Sequence, residues 1–257
     1  MGSTRQIELK SSADLERMRR AGRLAAQALD AVGRAVAPGV TTKELDRLAE
    51  KVIRDAGGVP TFLGYRGYTA SICASINEEV VHGIPHPKRI LRDGDIVGID
   101  VGATLDGFVG DTAATFPVGR ISEEAQRLLQ TTQESLAQGI AAARVGQRLG
   151  DVSAAIQRVA EAKGYSVVRD FVGHGIGRNM HEEPSVPNYG TAGTGLRLEA
   201  GLVIALEPMV NAGTWRVQVL KDGWTVVTED NRLSAHFEHT VAITDAGPEI
   251  LTQLGNR

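Results

Sequence analysis

Slid along itself by 107 positions, the chain matches twice over. Gly39 falls on Gly146, Leu45 on Val152, Val52 on Val159 and Gly57 on Gly164. The same offset lays Leu91, Gly94, Ile96, Val97 and Ile99 on Leu198, Gly201, Val203, Ile204 and Leu206, and it sets one acid, Asp100, on another, Glu207. Amphipathic helices resemble one another, so the first set carries little by itself; the strand match at an unchanged offset carries the inference. Hydrophobic spacing then reads helix, helix, strands, in that order and twice. Leu15, Met18, Ala21, Leu24, Ala25 and Leu29 follow a helical period over residues 12–35, which stops before Pro38-Gly39. A second helix over 42–56 turns Leu45, Leu48, Ala49, Val52 and Ile53 inward and ends at Gly57-Gly58. Helical patterns return at 121–143 and 150–163, and strand-rich sections occupy about 70–117 and 166–244. The expected fold is α/β (α+β): two halves, about 12–117 and 121–244, related by a pseudo-twofold and packed as one domain over 1–257, with a short tail at 1–11. Ligands often lie where such halves meet.

Composition removes several alternatives. A formal charge of -3 provides no global basic field, so no specific DNA binding is expected. Arg17, Arg19, Arg20 and Arg23 read as one solvated helix face. Cys73 is the single cysteine, which excludes an intramolecular disulfide and cysteine-cluster zinc sites and fits a reducing, cytoplasmic setting. The polar N-terminus lacks a signal-peptide core, and no apolar run reaches membrane-spanning length. Met1-Gly2 lacks the Ser or Thr that myristoylation needs at position 6, where Gln stands.

The stretch Asp95–Thr112 reads as a β-hairpin, because Asp106-Gly107 between β-rich runs is a strong turn signal. A loop of Thr104 to Gly107 sets Asp100 directly across from Asp111. A loop of Asp106-Gly107 alone makes the pair diagonal on the same face, and a three-residue loop separates them. Two neighbouring carboxylates in an apolar hairpin require either a shared proton or a cation. Glu207 follows five apolar residues in G-L-V-I-A-L-E-P, and Glu238 alternates with His236 and Thr240 in S-A-H-F-E-H-T. The offset gives Glu207 the place of Asp100, and in the pseudo-symmetric reading Glu238, reached through a longer hairpin, repeats the role of Asp111. Four converging acids favour bound divalent cations over a protonated dyad. His174, between glycines in G-H-G-I-G, adds one imidazole. That donor set suits two ions of manganese, iron(II), cobalt(II) or zinc, in a paired site able to activate water and polarise a carbonyl.

Six motifs then line up: H-G-I-P at 82–85, G-x-D-x-G-x8-D-T-A-A-T-F through 98–116, G-H-G-I-G-R at 173–178, H-E-E-P at 181–184, E-P at 207–208 and S-A-x-F-E-H-T at 234–240. Together they resemble a type I methionine aminopeptidase of the short bacterial form, across essentially the whole chain. The resemblance implies the pseudo-twofold "pita-bread" fold, with a curved antiparallel sheet backed by helices. It implies a monomeric cytoplasmic hydrolase that removes the initiator methionine from nascent chains with a small second residue, at the ribosome.

By the same resemblance Asp100, Asp111, His174, Glu207 and Glu238 hold two divalent ions, and a bridging hydroxide attacks the first peptide carbonyl. His82 contacts the substrate nitrogen, His181 the scissile carbonyl, and Glu207 transfers the proton. Tyr65, Tyr68, Cys73 and Trp224 match methionine-pocket positions, and Asn77 and Ser234 a sodium or potassium site. Phe62, Met180 and His236 stand where Cys, Phe and Gln are frequent; the first two keep the pocket apolar. His236 is read as a tolerated neighbour or as a group tuning a ligand. His86 reads as loop and His239 as structural, while Cys73 is expected to line the pocket without catalysing. The rival readings are a proline-specific hydrolase of the same fold (an Xaa-Pro aminopeptidase or prolidase) and a non-catalytic peptide-binding relative.

Overall fold

A computed structural model describes residues 7–254, so of the expected tail only its last residues are seen. Four helices form: α1 (Ser12–Ala35), α2 (Thr42–Asp55), α3 (Glu123–Ala142) and α4 (Leu149–Ala162). They agree with the spacing to within two residues at each end. The strands, in chain order, are β1 (Val59–Pro60), β2 (Ile72–Ile76), β3 (Glu79–Val81), β4 (Ile96–Leu105), β5 (Phe108–Pro117), β6 (Ser166–Val167), β7 (Gly173–Gly175) and β8 (Glu182–Val186). They continue with β9 (Val203–Leu206), β10 (Met209–Asn211), β11 (Val217–Val219), β12 (Val226–Thr228), β13 (Ser234–His236), β14 (Glu238–Thr244) and β15 (Gly247–Ile250).

Nine strands make one antiparallel sheet in the order β1-β4-β5-β14-β9-β7-β8, with β2 also on β4 and β15 on β14. Two three-stranded sheets, β13-β10-β6 and β11-β12-β3, flank it. β4 and β5 come from the first half, and β14, β9 and β7 from the second, so the β5–β14 seam joins the halves inside one sheet. Each half buries its own helix pair. Leu24, Ala28, Leu45 and Ile53 pack on Ile72, Ile99 and Val101; Leu128, Leu136, Val152 and Ile156 pack on Ile204, Leu206 and Val241. α1 lies so close to the sheet that a Cβ on Gly110 would sit 2.4 Å from the Gly22 Cα, which explains the missing side chains there.

Helix starts are fixed by local chemistry. Ser11 and Thr41 accept from the amides of Asp14 and Glu44, whose carboxylates bond back in capping boxes. The β4–β5 turn is Asp106-Gly107, at φ 50° and 76°, the left-handed pair of a two-residue hairpin. Leu105 therefore faces Phe108 and Gly102 faces Asp111, which makes the acid pair diagonal rather than directly opposed. Among the described residues no helix is long and apolar enough to cross a membrane.

Candidate metal centre and cleft

Strand register collects the expected ligands on two neighbouring rungs of the large sheet. On one rung Cys73 faces Asp100, Asp100 faces Ala113 and Ala113 faces Glu238. On the other, Gly102 faces Asp111, Thr240 faces Ala205 and Ala205 faces His174. Thr240 closes this rung: the Asp111 amide donates to its hydroxyl at 3.1 Å, and the hydroxyl donates to the Asp111 carbonyl at 2.8 Å. The rungs lie two residues apart along each strand, so all these side chains leave the same face. Glu207 comes immediately after β9. The Phe237 amide donates to the Pro208 carbonyl at 3.4 Å, which continues the β9–β14 register and sets Glu207 across from Glu238.

The groups converge closely. One ligand atom each from Asp111, His174 and Glu238 lie within 4.8 Å of one another. His174 Nε2 is 3.5 Å from Glu207 Oε1 and 3.9 Å from Asp111 Oδ2. His174 Nδ1 lies 2.9 Å from the Gly175 carbonyl, which can only accept. The proton is therefore on Nδ1, and the Nε2 lone pair points at the acids, the tautomer that binds a metal.

The electrostatics fit a cation. One oxygen each of Asp100, Asp111 and Glu238, together with His236 Nε2, is buried with no hydrogen-bond partner. Unpaired buried charges cost several kcal/mol each, so without a cation the acids must hold protons. Burial pushes Asp100 up to about 7. Burial and then mutual repulsion raise Asp111, Glu207 and Glu238 well above the ordinary range. Burial also pushes His82 and His174 down to about 4 and His236 to about 3, which keeps these imidazoles neutral. The donor set and its orphaned oxygens thus fit divalent ions.

An apolar slot opens beside the acids, lined by Phe62, Tyr65, Tyr68, Cys73, Met180 and Trp224. Tyr68 donates its hydroxyl to the carbonyls of Ile72 and Gly83 at 3.0 and 3.1 Å, so it offers the slot its ring, edge-on to Trp224. Burial, ahead of the Asp100 charge, raises the Cys73 thiol, which keeps it an inert wall atom. His181 stands at the mouth, its ring 4.2 Å from that of His174 and its Nδ1 2.8 Å from the Tyr65 hydroxyl. Burial and then the Arg66 charge lower its pKa. His82 holds φ 61°, a strained value for a residue with a side chain, with its ring edge-on to Phe171 and Trp224.

Other expectations resolve individually. The Ser234 amide donates to the Asn77 carbonyl at 2.9 Å, so the two are adjacent. Their side chains are committed to Asp95, the Ile96 amide and Asn211, so a monovalent cation there would rely on main-chain oxygens. His236 Nε2 lies 3.9 Å from Glu207 Oε2, beside the acids. His239 bonds Thr252 Oγ1 at 3.0 Å and is structural, and His86 sits in an exposed loop. The sequence reading missed Val81, Phe171, Val172 and Arg66, which also line the cleft. Phe171, three residues before His174, was findable from that proximity; Arg66 carried no such signal.

Comparison with known proteins supplies the wider setting. The profile of Metallopeptidase family M24 matches residues 16–245. The methionine aminopeptidase of Clostridium acetobutylicum is 53% identical over 246 residues, covering 96% of this chain and 98% of that protein. A crystal structure of methionine aminopeptidase from Rickettsia prowazekii superposes with a TM-score of 0.95 at 47% identity, covering 96% of this chain and all of that one. A prolidase from Pyrococcus furiosus shares the fold at a TM-score of 0.75 and 22% identity, with 97% of this chain matching 66% of that one.

Proposed function

Because the chain belongs to metallopeptidase family M24, we propose that it removes an N-terminal methionine from nascent chains whose second residue is small. The observation that carries this reading is the pair of rungs that puts four acids and His174 on one face beside an apolar slot. Asp100, Asp111, His174, Glu207 and Glu238 would hold two divalent ions. When bound, such a pair supplies a Lewis acid and brings the pKa of water into the neutral range.

The chain's own residues would do the rest. The slot of Phe62, Tyr65, Cys73, Met180 and Trp224 takes the methionine side chain, where sulfur against aromatic rings is favourable. His82, fixed by its strained backbone and by Phe171, bonds the substrate nitrogen. His181 must present a proton to the scissile carbonyl oxygen as it gains charge. With Tyr65 donating to Nδ1, that proton resides on Nε2. Glu207 takes a proton from water and passes it to the leaving amine. Crowding around the scissile bond restricts the second residue to small side chains.

Release of methionine from Met-Gly-Met-Met, assayed with manganese, cobalt or iron(II) supplied, tests the reading, with Glu207→Gln as control. Cleavage of Ala-Pro substrates in place of methionyl ones would overturn it in favour of the proline-specific alternative.

A further inference from the structure

A second groove leaves the cleft at His181. It shares Tyr65, Arg66, Met180 and His181 with the slot and runs on past Arg178 to Glu183. If the first peptide bond lies at His181, as proposed above, the groove is the exit path for the remaining chain. Its charges are mostly spoken for. Arg178 pairs with Asp14 at 3.5 Å, and Glu182 pairs with the buried Lys10 at 2.7 Å, which also lies 3.6 Å from Glu8. Among the described residues Arg66 has no carboxylate within ion-pair distance, and Glu183, farther out, has no cationic side chain within that distance.

Arg66 is also held in place. It sits at φ 50° between Gly64 and Gly67, both at positive φ, a conformation that costs an arginine on the order of 1 kcal/mol and recurs at ligand clamps. Its guanidinium lies 5.3 Å from the centre of the Tyr65 ring, and Tyr65 in turn bonds His181. An extended chain advances roughly 3.3–3.6 Å per residue, so this charge falls within about three residues of the scissile carbonyl.

We infer that this groove binds the substrate beyond its second residue and that Arg66 selects an acidic side chain at the third or fourth position. The inference rests on the aminopeptidase reading and deepens it. An exposed arginine meeting one carboxylate supports a discrimination of about three- to fivefold at moderate salt, and less as salt screens it.

The test compares C-terminally amidated pentapeptides Met-Ala-Xaa-Gly-Gly and Met-Ala-Gly-Xaa-Gly, with Xaa Glu, Gln or Lys. Amidation removes the competing terminal carboxylate. Expected is a higher kcat/KM for Glu than for Lys at one of the two positions, carried in KM and weakened by salt. Arg66→Gln should collapse that ratio, Arg66→Lys should retain part of it and Arg66→Glu should invert it. Each ratio is internal to one variant, so a loss of folded protein cancels. Equal kcat/KM for Glu and Lys at both positions, or an unchanged ratio in Arg66→Gln, overturns the inference. No release from any peptide would instead overturn the aminopeptidase reading.

Discussion

The two halves share a frame and differ in what they hang on it. α2 and α4 begin and end 107 positions apart. The bridge Thr41–Ile90 recurs as Arg148–Arg197, and the bond from the Gly39 amide to Leu91 (2.8 Å) recurs from Gly146 to Leu198 (3.0 Å). Gly39, Gly57 and Gly94, at φ 92°, 77° and 97°, are matched by Gly146, Gly164 and Gly201 at 87°, 82° and 92°. The connections after the two acids are unlike. From Asp100 the chain turns back at once, through Asp106-Gly107, to a diagonal Asp111. From Glu207 it travels through β10–β13, places Trp224 in the slot and returns to a directly opposed Glu238. The duplicated frame supplies the acids, while the unequal connections supply the pocket.

The largest test asks whether the matched acids are equivalent. Asp100→Asn and Glu207→Gln each remove one anion from matched positions. Both should reduce the bound metal measured by atomic absorption. Glu207→Gln should in addition lower kcat by on the order of 10³-fold, because Glu207 alone is assigned the proton. Equal losses in kcat from the two variants would erase the functional asymmetry between the halves.

A pH titration of the metal-free protein probes the acids together. Asp100 binds its proton up to about 7 when folded against 3.8 when unfolded, so the folded state holds more protons in that window. Stability therefore falls as pH rises through it. His82, His174 and His236 act oppositely: lowered from 6.5, they stay neutral when folded while the unfolded chain takes up protons, so their contribution grows as pH rises toward 6.5. Above about 6.5 the histidines are neutral in both states and the carboxylates decide. Urea midpoints of the metal-free protein should therefore drop between pH 6.5 and 8, and added manganese should flatten the slope. A metal-free midpoint that rises over that interval would mean that the four acids are not buried together.

Much of this frame was legible in the residues. Gly57 and Gly164 mark the two matched helix ends because each stands at positive φ just beyond α2 and α4. Of the five clustered residues, Asp100 and Glu207 were legible from the constant offset and Asp111 and Glu238 from strand alternation and the paired-hairpin reading, whereas His174 was marked only by its flanking glycines and the family motif. The hairpin register was not legible, since two of the possible loops leave Asp100 and Asp111 on the same side and only the left-handed φ values at Asp106 and Gly107 choose between them. Phe171 resembles any core aromatic, and Arg66 any solvated loop cation, until the fold brings residues from 62–82 and from 171–181 around one cleft. His236 read as a neighbour of Glu238; its approach to Glu207 depends on β13 pairing with β10 rather than on alternation along one strand.

Smaller effects test how far the duplication extends into energetics. Gly94→Ala and Gly201→Ala impose the same backbone strain, about 1–2 kcal/mol. Only at Gly201 would the new Cβ also meet a neighbour, the Lys10 carbonyl at 2.8 Å; at Gly94 the nearest atom is 3.9 Å away. Lys10 is the buried partner of Glu182, beside His181. Gly201→Ala should thus lower the thermal midpoint more than Gly94→Ala and raise KM as well. Equal shifts without a KM change would detach the Lys10 strap from the cleft.

The smallest difference lies at the helix starts. Thr41 accepts from the Glu44 amide at 3.2 Å, whereas Arg148, its counterpart, has no side-chain acceptor for the Asp151 amide, and only its own amide completes half a capping box by donating to the Asp151 carboxylate at 2.8 Å. Thr41→Ala should cost about 1 kcal/mol. Arg148→Thr would restore the missing acceptor but would lose the guanidinium bond to the Gly195 carbonyl at 2.8 Å, so its gain should be a fraction of that amount. Urea unfolding of both variants compares them directly. If Arg148→Thr were destabilising by as much as Thr41→Ala, the second half would depend on its own contact to Gly195 at this point, and the duplication would be one of backbone path only.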